Sequence, residues 1–391
     1  MIGRLDSRAS LAEHARPRGR MVTCLLGWSL LLFSIGAPAG RVAAEPARGA
    51  PPVPILAYYY IWFDPRSWSH AKTDVPALGP YSSDDSAVLR QHIQWAEQAG
   101  LNGFLVSWKN TPALTRRLAE LAAIAAQENF KLSIIYQGLN VARRPLPAAQ
   151  IAADLDYFVN RFAGDPTFGA PGKPLVVWSG TWEFSPEDVA AVATPRRNSL
   201  LILASERNLP GYERLADSVD GNAYYWSSVD PDKDRGFAEK LGAMGQAVHA
   251  HGGLWFAPAA VGFDARLIGG TRVVDRKDGA TLRVEMNAAM ASSPDAVGLI
   301  SWNEFTENSY LEPSEKFGSR YLTVLSDILS AQPRASDTFD STEPGTTDDG
   351  SDLGWLGALA ALSVPAPLGI ARRGRRAHGS AAPTGDDRRV S

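Results

Sequence analysis

Residues 84–108, DDSAVLRQHIQWAEQAGLNGFLVSW, read as one helix followed by one strand. Asp84 is placed to cap a helix over 85–99, because a short carboxylate ahead of the first turn can accept from its unpaired amides, and Gly100 supplies the stop. Leu101–Trp108 is then a compact apolar and aromatic run, the pattern of a buried strand. The same unit recurs along the chain. Strands are expected at Ile55–Trp62, Leu101–Trp108, Leu132–Gln137, Pro174–Trp178, Leu200–Ala204, Ala223–Trp226, Gly253–Pro258 and Ala296–Trp302, with amphipathic stretches rich in Ala and Leu after most of them. Eight alternating units predict an α/β fold, a (β/α)8 TIM barrel in a single domain, since parallel strands need crossover helices and read as continuous apolar runs. The alternative is a doubly wound open sheet, but no glycine-rich phosphate loop follows the first strand.

Beyond this region the two ends differ in composition. Residues 1–44 carry Arg4, Arg8, Arg16, Arg18 and Arg20, an apolar stretch from Met21 to Ile35 and the small residues Val42-Ala43-Ala44, the pattern of a secretory signal peptide. An uncleaved membrane anchor is the other reading, although the apolar run is short for a span. Residues 335–352 form an acidic Thr- and Gly-rich linker, and 353–376 an apolar sorting or anchor segment ending on Arg372, Arg373, Arg375 and Arg376. Residues 377–391 read as a disordered tail. The apolar run Leu353–Ala371 has 19 residues, just enough to cross a hydrocarbon core, but Pro365 and Pro367 interrupt it, and a disordered tail remains the alternative. The expectation is an exported protein, periplasmic, cell-surface or extracellular, with the tail as its membrane contact. Residues 45–334 are left as the barrel domain.

Composition narrows the chemistry. With 391 residues, 45% hydrophobic and 21% charged, the chain is neither disordered nor a coiled coil. The formal charge is −3 overall; residues 1–44 contribute +4 and 335–391 contribute −2, so 45–334 carry −5. That leaves no basic excess for a nucleic-acid backbone, and no nucleic-acid partner is expected. The single cysteine, Cys24, lies in the removable leader, so no disulfide, thiolate nucleophile or Cys-based metal site is expected in the barrel. His249-x-His251 could suggest a metal pair, but it precedes the seventh strand, on the face away from a barrel's active end; no metal and no cofactor are expected.

Barrel active sites lie at the carboxyl ends of the strands. Seven of the nine tryptophans outside the end segments fall there, namely Trp62, Trp68, Trp108, Trp178, Trp182, Trp226 and Trp302, with Tyr58–Tyr60 and Tyr224–Tyr225 beside them. Flat rings at a mouth can stack on the C–H face of a sugar, and Tyr60, Trp62, Trp108, Tyr225, Trp226 and Trp302 are candidate substrate contacts. Simple packing of the barrel top is the alternative for each of them. The eighth run continues as Ser301-Trp302-Asn303-Glu304-Phe305-Thr306-Glu307 and reaches Leu311-Glu312-Pro313. Two glutamates three residues apart, just past a barrel strand, suit glycoside cleavage: one group kept protonated for the leaving oxygen, one ionised. Glu304 and Glu307 are the catalytic candidates.

This Ser301-Trp302-Asn303-Glu304-x-x-Glu307 and Leu311-Glu312-Pro313 pattern resembles the signature of glycoside hydrolase family 99, the endo-α-mannosidase and endo-α-mannanase barrels. Tyr59-Tyr60 with Trp62 and Pro65, Tyr81-Ser82-Ser83-Asp84, the run 99–108 and Gly262-Phe263-Asp264 agree, so the resemblance spans nearly all of 55–322. The family pattern departs after the first glutamate, where this chain has Phe305, Thr306, Asn308 and Ser309, and at Gln137, where many members carry a glutamate. The resemblance implies a retaining hydrolase of internal α-linked, mannan-like glycans. It implies that Glu304 acts as base toward the sugar 2-hydroxyl and Glu307 as acid/base at the glycosidic oxygen, through a 1,2-anhydro sugar and without metal. It further implies that Asn303 orients a carboxylate or hydroxyl and that Asp264 holds a hydroxyl. A non-catalytic carbohydrate-binding protein on the same barrel, and a relative acting on α-glucan or in polysaccharide assembly, are the alternatives. The partner is an oligo- or polysaccharide, and a monomer is expected. Asp84 and Asp85 read as capping residues, and His70 and Asp74 as contacts or turn stabilisers. Arg272 and Arg276 either reach the cleft or pair with Asp264 and Asp275.

Overall fold

The structure, a computed structural model, describes residues 53–169, 172–225 and 228–331. The leader, linker, apolar tail and Trp226 of the preceding section lie outside the described residues. Among those described, no helix is long and apolar enough to cross a membrane.

Eight parallel strands alternate with helices. The strands are β1 (Ile55–Tyr60), β2 (Gly103–Trp108), β3 (Lys131–Gln137), β4 (Leu175–Ser179), β5 (Leu201–Leu203), β6 (Gly221–Ala223), β7 (Leu254–Ala260) and, last in the ring, β10 (Ala296–Ile300). Their order, β5-β4-β3-β2-β1-β10-β7-β6, sets first beside last. A single parallel bridge, Ala204 to Asn222, closes the ring, with the Ala204 amide donating to Gly221 O at 3.0 Å and the Ala223 amide to Ala204 O at 2.8 Å. The barrel fold expected from the sequence is therefore what the chain builds, and each barrel strand overlaps its expected run. Between β7 and the seventh helix sits one short antiparallel hairpin, β8 (Phe263–Asp264) with β9 (Val273–Val274).

The helices are α1 (Ser86–Gln98), α2 (Pro112–Glu128), α3 (Ala148–Phe162), α4 (Pro186–Ala193), α5 (Leu209–Glu213), α6 (Phe237–Ala250), α7 (Ala280–Ala291) and α8 (Arg320–Ala331). Asp85, one residue later than expected, caps α1 by accepting from Ala87 N at 2.9 Å. Asp84 instead takes Arg116 and Arg117 of α2, at 2.9 and 2.6 Å. Gly100 ends the unit at φ +91°, a conformation that side-chain-bearing residues rarely adopt.

Strand parity divides the core in two. Leu56, Tyr58, Leu105, Ile135, Leu175, Val177, Leu203, Phe256 and Ile300 form the barrel interior. Their neighbours Ala57, Tyr59, Phe104, Val106 and Ile134 pack outward against the helices. Gly298 leaves room inside: a Cβ there would stand 2.9 Å from the ring of Tyr58, which lies across it. This division corrects the expectation of a tryptophan-lined mouth. Trp108, Trp178 and Trp302 all belong to the outward layer and are fully buried. Trp108 packs on Tyr136 and Phe158, and Trp302 on Phe104 and His92, so neither can stack on a sugar. Being last in a strand does not point a side chain at the mouth; in β2 that direction belongs to the parity of Leu105 and Ser107.

Candidate active site

Past Ile300 the chain doubles back on itself. The Ser301 amide donates to Ser309 O at 2.8 Å, the Leu311 amide to Ser301 O at 2.9 Å and the Glu312 amide to Trp302 O at 2.8 Å, while the Trp302 amide donates to Tyr58 O of β1 at 2.8 Å. This closed loop carries both catalytic candidates at its far side. Ser301 Oγ accepts from the Glu304 amide at 2.9 Å, and Glu307 O accepts from the Asp264 amide at 2.7 Å. The loop is thereby tied to its own strand and to the β8–β9 hairpin.

Both carboxyls are buried, with Glu304 1% and Glu307 2% exposed. Their surroundings differ. Glu304 Oε1 accepts from the Thr306 amide at 3.0 Å, while its Oε2 is buried without a partner. Burial pushes Glu304 up to about 7, opposed by the Thr306 and Glu307 amides and by the nearby ammonium of Lys72. Glu307 is pushed well above the usual carboxylate range by burial and by the charge of Glu304, with Arg143 alone opposing. Of the two, Glu304 is the easier to ionise and Glu307 the one that keeps its proton. Beside them the hydroxyls of Tyr60 and Tyr225 hydrogen-bond to each other. Both phenols are raised well above their usual value, first by burial, and the two glutamates add to the rise. The pair is therefore neutral and close to both acids.

Behind the loop lies a second, fully buried network. Asn303 accepts from the Tyr60 amide at 2.8 Å and donates to Tyr60 O at 2.9 Å and Tyr81 Oη at 3.2 Å. Tyr81 donates to Glu312 Oε2 at 2.9 Å, His92 Nε2 lies 3.0 Å from Glu312 Oε1, and Tyr59 Oη lies 2.9 Å from His92 Nδ1. Every amide atom of Asn303 that the structure uses goes to protein, which corrects its expected role: it pins β10's loop to β1 rather than orienting a sugar or a carboxylate.

The remaining expectations divide. Tyr60, Tyr225, Glu304 and Glu307 come together. Trp62, partly buried, stacks on Tyr60 with ring centroids 4.3 Å apart and is the described tryptophan best placed as a platform beside them. Asp264 is not a free subsite group: its oxygens take Arg266 Nε at 2.9 Å and a terminal guanidinium nitrogen at 2.6 Å, which hold its carboxyl below the usual range. Asp74 accepts from Tyr310 Oη at 2.6 Å and the Lys316 amide at 3.0 Å, the turn-stabilising option, while His70 is exposed. Arg276 donates to Asn308 O at 2.9 Å and lies over Tyr310, and Arg272 donates to Ser228 O at 2.9 Å; neither pairs with Asp264 or Asp275. Gln137 donates to Ser107 Oγ at 3.2 Å inside the barrel, and His249 Nε2 lies 3.0 Å from Asp295. Among the described residues no three His, Cys, Asp or Glu side chains are grouped for a metal.

Sequence reading passed over the cations of the mouth, namely Lys72 in the loop after β1, Arg143 after β3 and Arg207 after β5. Their signal was position alone, one loop past a strand end, among many surface arginines.

No family model and no curated protein sequence matches the chain. Solved structures do match. The GH99 endo-α-mannosidase from Bacteroides thetaiotaomicron is similar at a TM-score of 0.62 and 20% identity, covering 71% of this chain and 96% of that one. Its complex with bis-tris propane gives the same TM-score at 21% identity, with the same coverage. A glycoside hydrolase-like protein matches at 0.56 and 15%, covering 73% and 97%. The chain thus shares the barrel fold of these structures.

Proposed function

We propose that the protein is a glycoside hydrolase that cuts internal α-linked, mannan-like glycans with retention. The observation that carries this reading is the unequal burial environment of Glu304 and Glu307 at the carboxyl end of the last barrel strand. A carboxyl whose charge is eased by two amides and a lysine near neutral pH suits a base, here toward the sugar 2-hydroxyl. A neighbour whose proton is retained suits an acid at the glycosidic oxygen. Deprotonating the 2-hydroxyl lets its oxygen displace the leaving group and close a 1,2-anhydro ring, while Glu307 gives its proton to the departing oxygen. Water then opens the ring at the anomeric carbon: Glu307 takes a proton from the water, Glu304 gives its proton back to the 2-oxygen, both glutamates return to their starting states, and the two successive inversions give net retention. Trp62 offers an apolar face, and the Tyr60–Tyr225 hydroxyls offer polar contacts beside the acids. The GH99-like barrel and the motif from Ser301 to Pro313 support the same chemistry. The basic leader and apolar tail support an exported, surface-held enzyme.

The test is to incubate the full chain with a panel of α-mannans and α-glucans and analyse released sugars. Oligosaccharides from mannan with retained α configuration support the proposal; release from none of the panel by a folded protein argues for a binding protein instead.

A further inference from the structure

We infer that the mouth beside Glu307 holds a subsite for an anionic substituent of the glycan, a carboxylate or a sulfate ester, built by Arg143 and Arg207. The inference deepens the glycosidase reading and rests on it for the word substrate.

Both arginines stand on loops at the carboxyl ends of barrel strands, after β3 and β5. Arg207 lies over the indole of Trp182, from the loop after β4, at 3.8 Å from the ring centroid. That contact holds the guanidinium against the ring without using up its N–H donors. Neither guanidinium forms an ion pair among the described residues, and Arg207 Nε is buried with no hydrogen-bond partner. The neighbouring Arg214 shows what a structural arginine looks like here: it donates to Phe184 O at 2.7 Å, to Thr181 O at 3.0 Å and to Glu206 at 3.0 Å. Arg143 and Arg207 instead lie close to each other. Burial lowers both, and the charge of Arg143 lowers Arg207 further. Arg143 is near enough to Glu307 and Tyr225 to feel both.

Two partly buried like charges without acids on them are costly unless something anionic arrives. Among the described residues the acids that act on them are Glu183, exposed and near both, Glu307 on Arg143, and Glu206 on Arg207, which Arg214 already holds. Lys109, the next cation on this face, is taken up by Leu139 O at 2.7 Å. Lys72 adds a positive charge on the Glu304 side. Residues 45–334 carry a formal −5, so this positive field is local to the mouth and not a property of the domain. Planar guanidinium groups match carboxylate and sulfate oxygens in pairs, which is the chemistry the arrangement selects.

The full chain is titrated by calorimetry with an α-mannan and two derivatives of the same polymer, one sulfated and one carrying carboxylates from oxidation at C6. At least one derivative should bind about tenfold tighter than the parent, the scale of one or two charge-assisted hydrogen bonds. The advantage should shrink at high salt, and in Arg143→Gln with Arg207→Gln the derivatives should bind no tighter than the neutral parent polymer binds to the same variant. Which derivative gains distinguishes sulfate from carboxylate. Should the double variant not fold, Arg143→Gln, flanked by exposed Ala142 and Arg144, must still lose part of the advantage. Equal binding of all three polymers, binding of none, or an advantage that survives the substitutions overturns the inference. Cleavage is scored separately: hydrolysis without charge preference removes the subsite and leaves the glycosidase, whereas arginine-dependent binding without hydrolysis removes the glycosidase and leaves the subsite.

Discussion

Glu307 and Glu312 lie five positions apart on one loop, both almost wholly buried, and their surroundings are opposite. Glu312 has a partner on each oxygen, Tyr81 Oη at 2.9 Å and His92 Nε2 at 3.0 Å. Glu307 instead faces the charge of Glu304 with Arg143 opposing, and Glu304 leaves Oε2 buried and bare. A satisfied buried acid holds elements together; an unsatisfied one is kept for a group that is not yet there. The difference sets a brace apart from the candidate catalytic pair where residue type and burial cannot.

The largest effect that could break this contrast is on turnover. Glu307→Gln should slow cleavage of an ordinary glycan by about 10²–10⁴-fold while partly sparing an activated aryl glycoside, which needs little protonation. Glu304→Gln should be inactive on both. Rates on the two substrates check this, and full activity of either variant would remove that residue from the chemistry. Next in size, Trp302→Ala should cost about 3–5 kcal/mol of folding stability in denaturant titration, since the ring fills the layer behind the loop. By contrast Trp62→Ala should leave stability nearly intact and weaken glycan binding by about 1–2 kcal/mol. Glu312→Ala should cost about 1–3 kcal/mol for each of the two partners it orphans, and an unchanged melting temperature would show the brace to be idle.

The smallest effect concerns a third acid of the unsatisfied kind. Glu285 on α7 accepts from the Ala260 amide at 2.6 Å through Oε2, while Oε1 has no partner, and burial raises it well above the carboxylate range. In the folded state it keeps a proton that the unfolded chain releases above about pH 4.3, so its contribution to stability is full at acid pH and declines as pH rises. Glu285→Gln keeps an acceptor for Ala260 and removes the titration. Its stability relative to wild type should therefore rise by about 1 kcal/mol or more between pH 5 and pH 8; a difference flat across that range would show the carboxyl to be ionised and paired.

The barrel was readable because most strands carry an apolar or aromatic run set off by turns; β6, Gly221-Asn222-Ala223, has no such run and was reached only at Ala223, where the aromatic stretch after it begins. That Glu304 and Glu307 stand together at the barrel mouth was readable because they follow the last barrel strand directly. Trp108 and Trp302 were misjudged because aromatic content says nothing about which face of a strand or loop a ring takes; partners in space decide that. Asn303 looked like a ligand-orienting amide, and the residue it holds, Tyr60, is 243 positions away. Arg143 and Arg207 were invisible because an unpaired cation differs from a solvated one only by its neighbours.

That same span sets a timetable. In a chain made from its amino end, β1 emerges early, yet its flanking strand β10 and the amide of Asn303 arrive only after nearly all the other staves exist. Until then β1 offers an unpaired edge, and Glu304 and Glu307, which follow Asn303, are not yet made. Assembly of the two buried carboxyls is thus deferred until the last barrel strand is made, and a nascent chain held open before that point would carry no such pair.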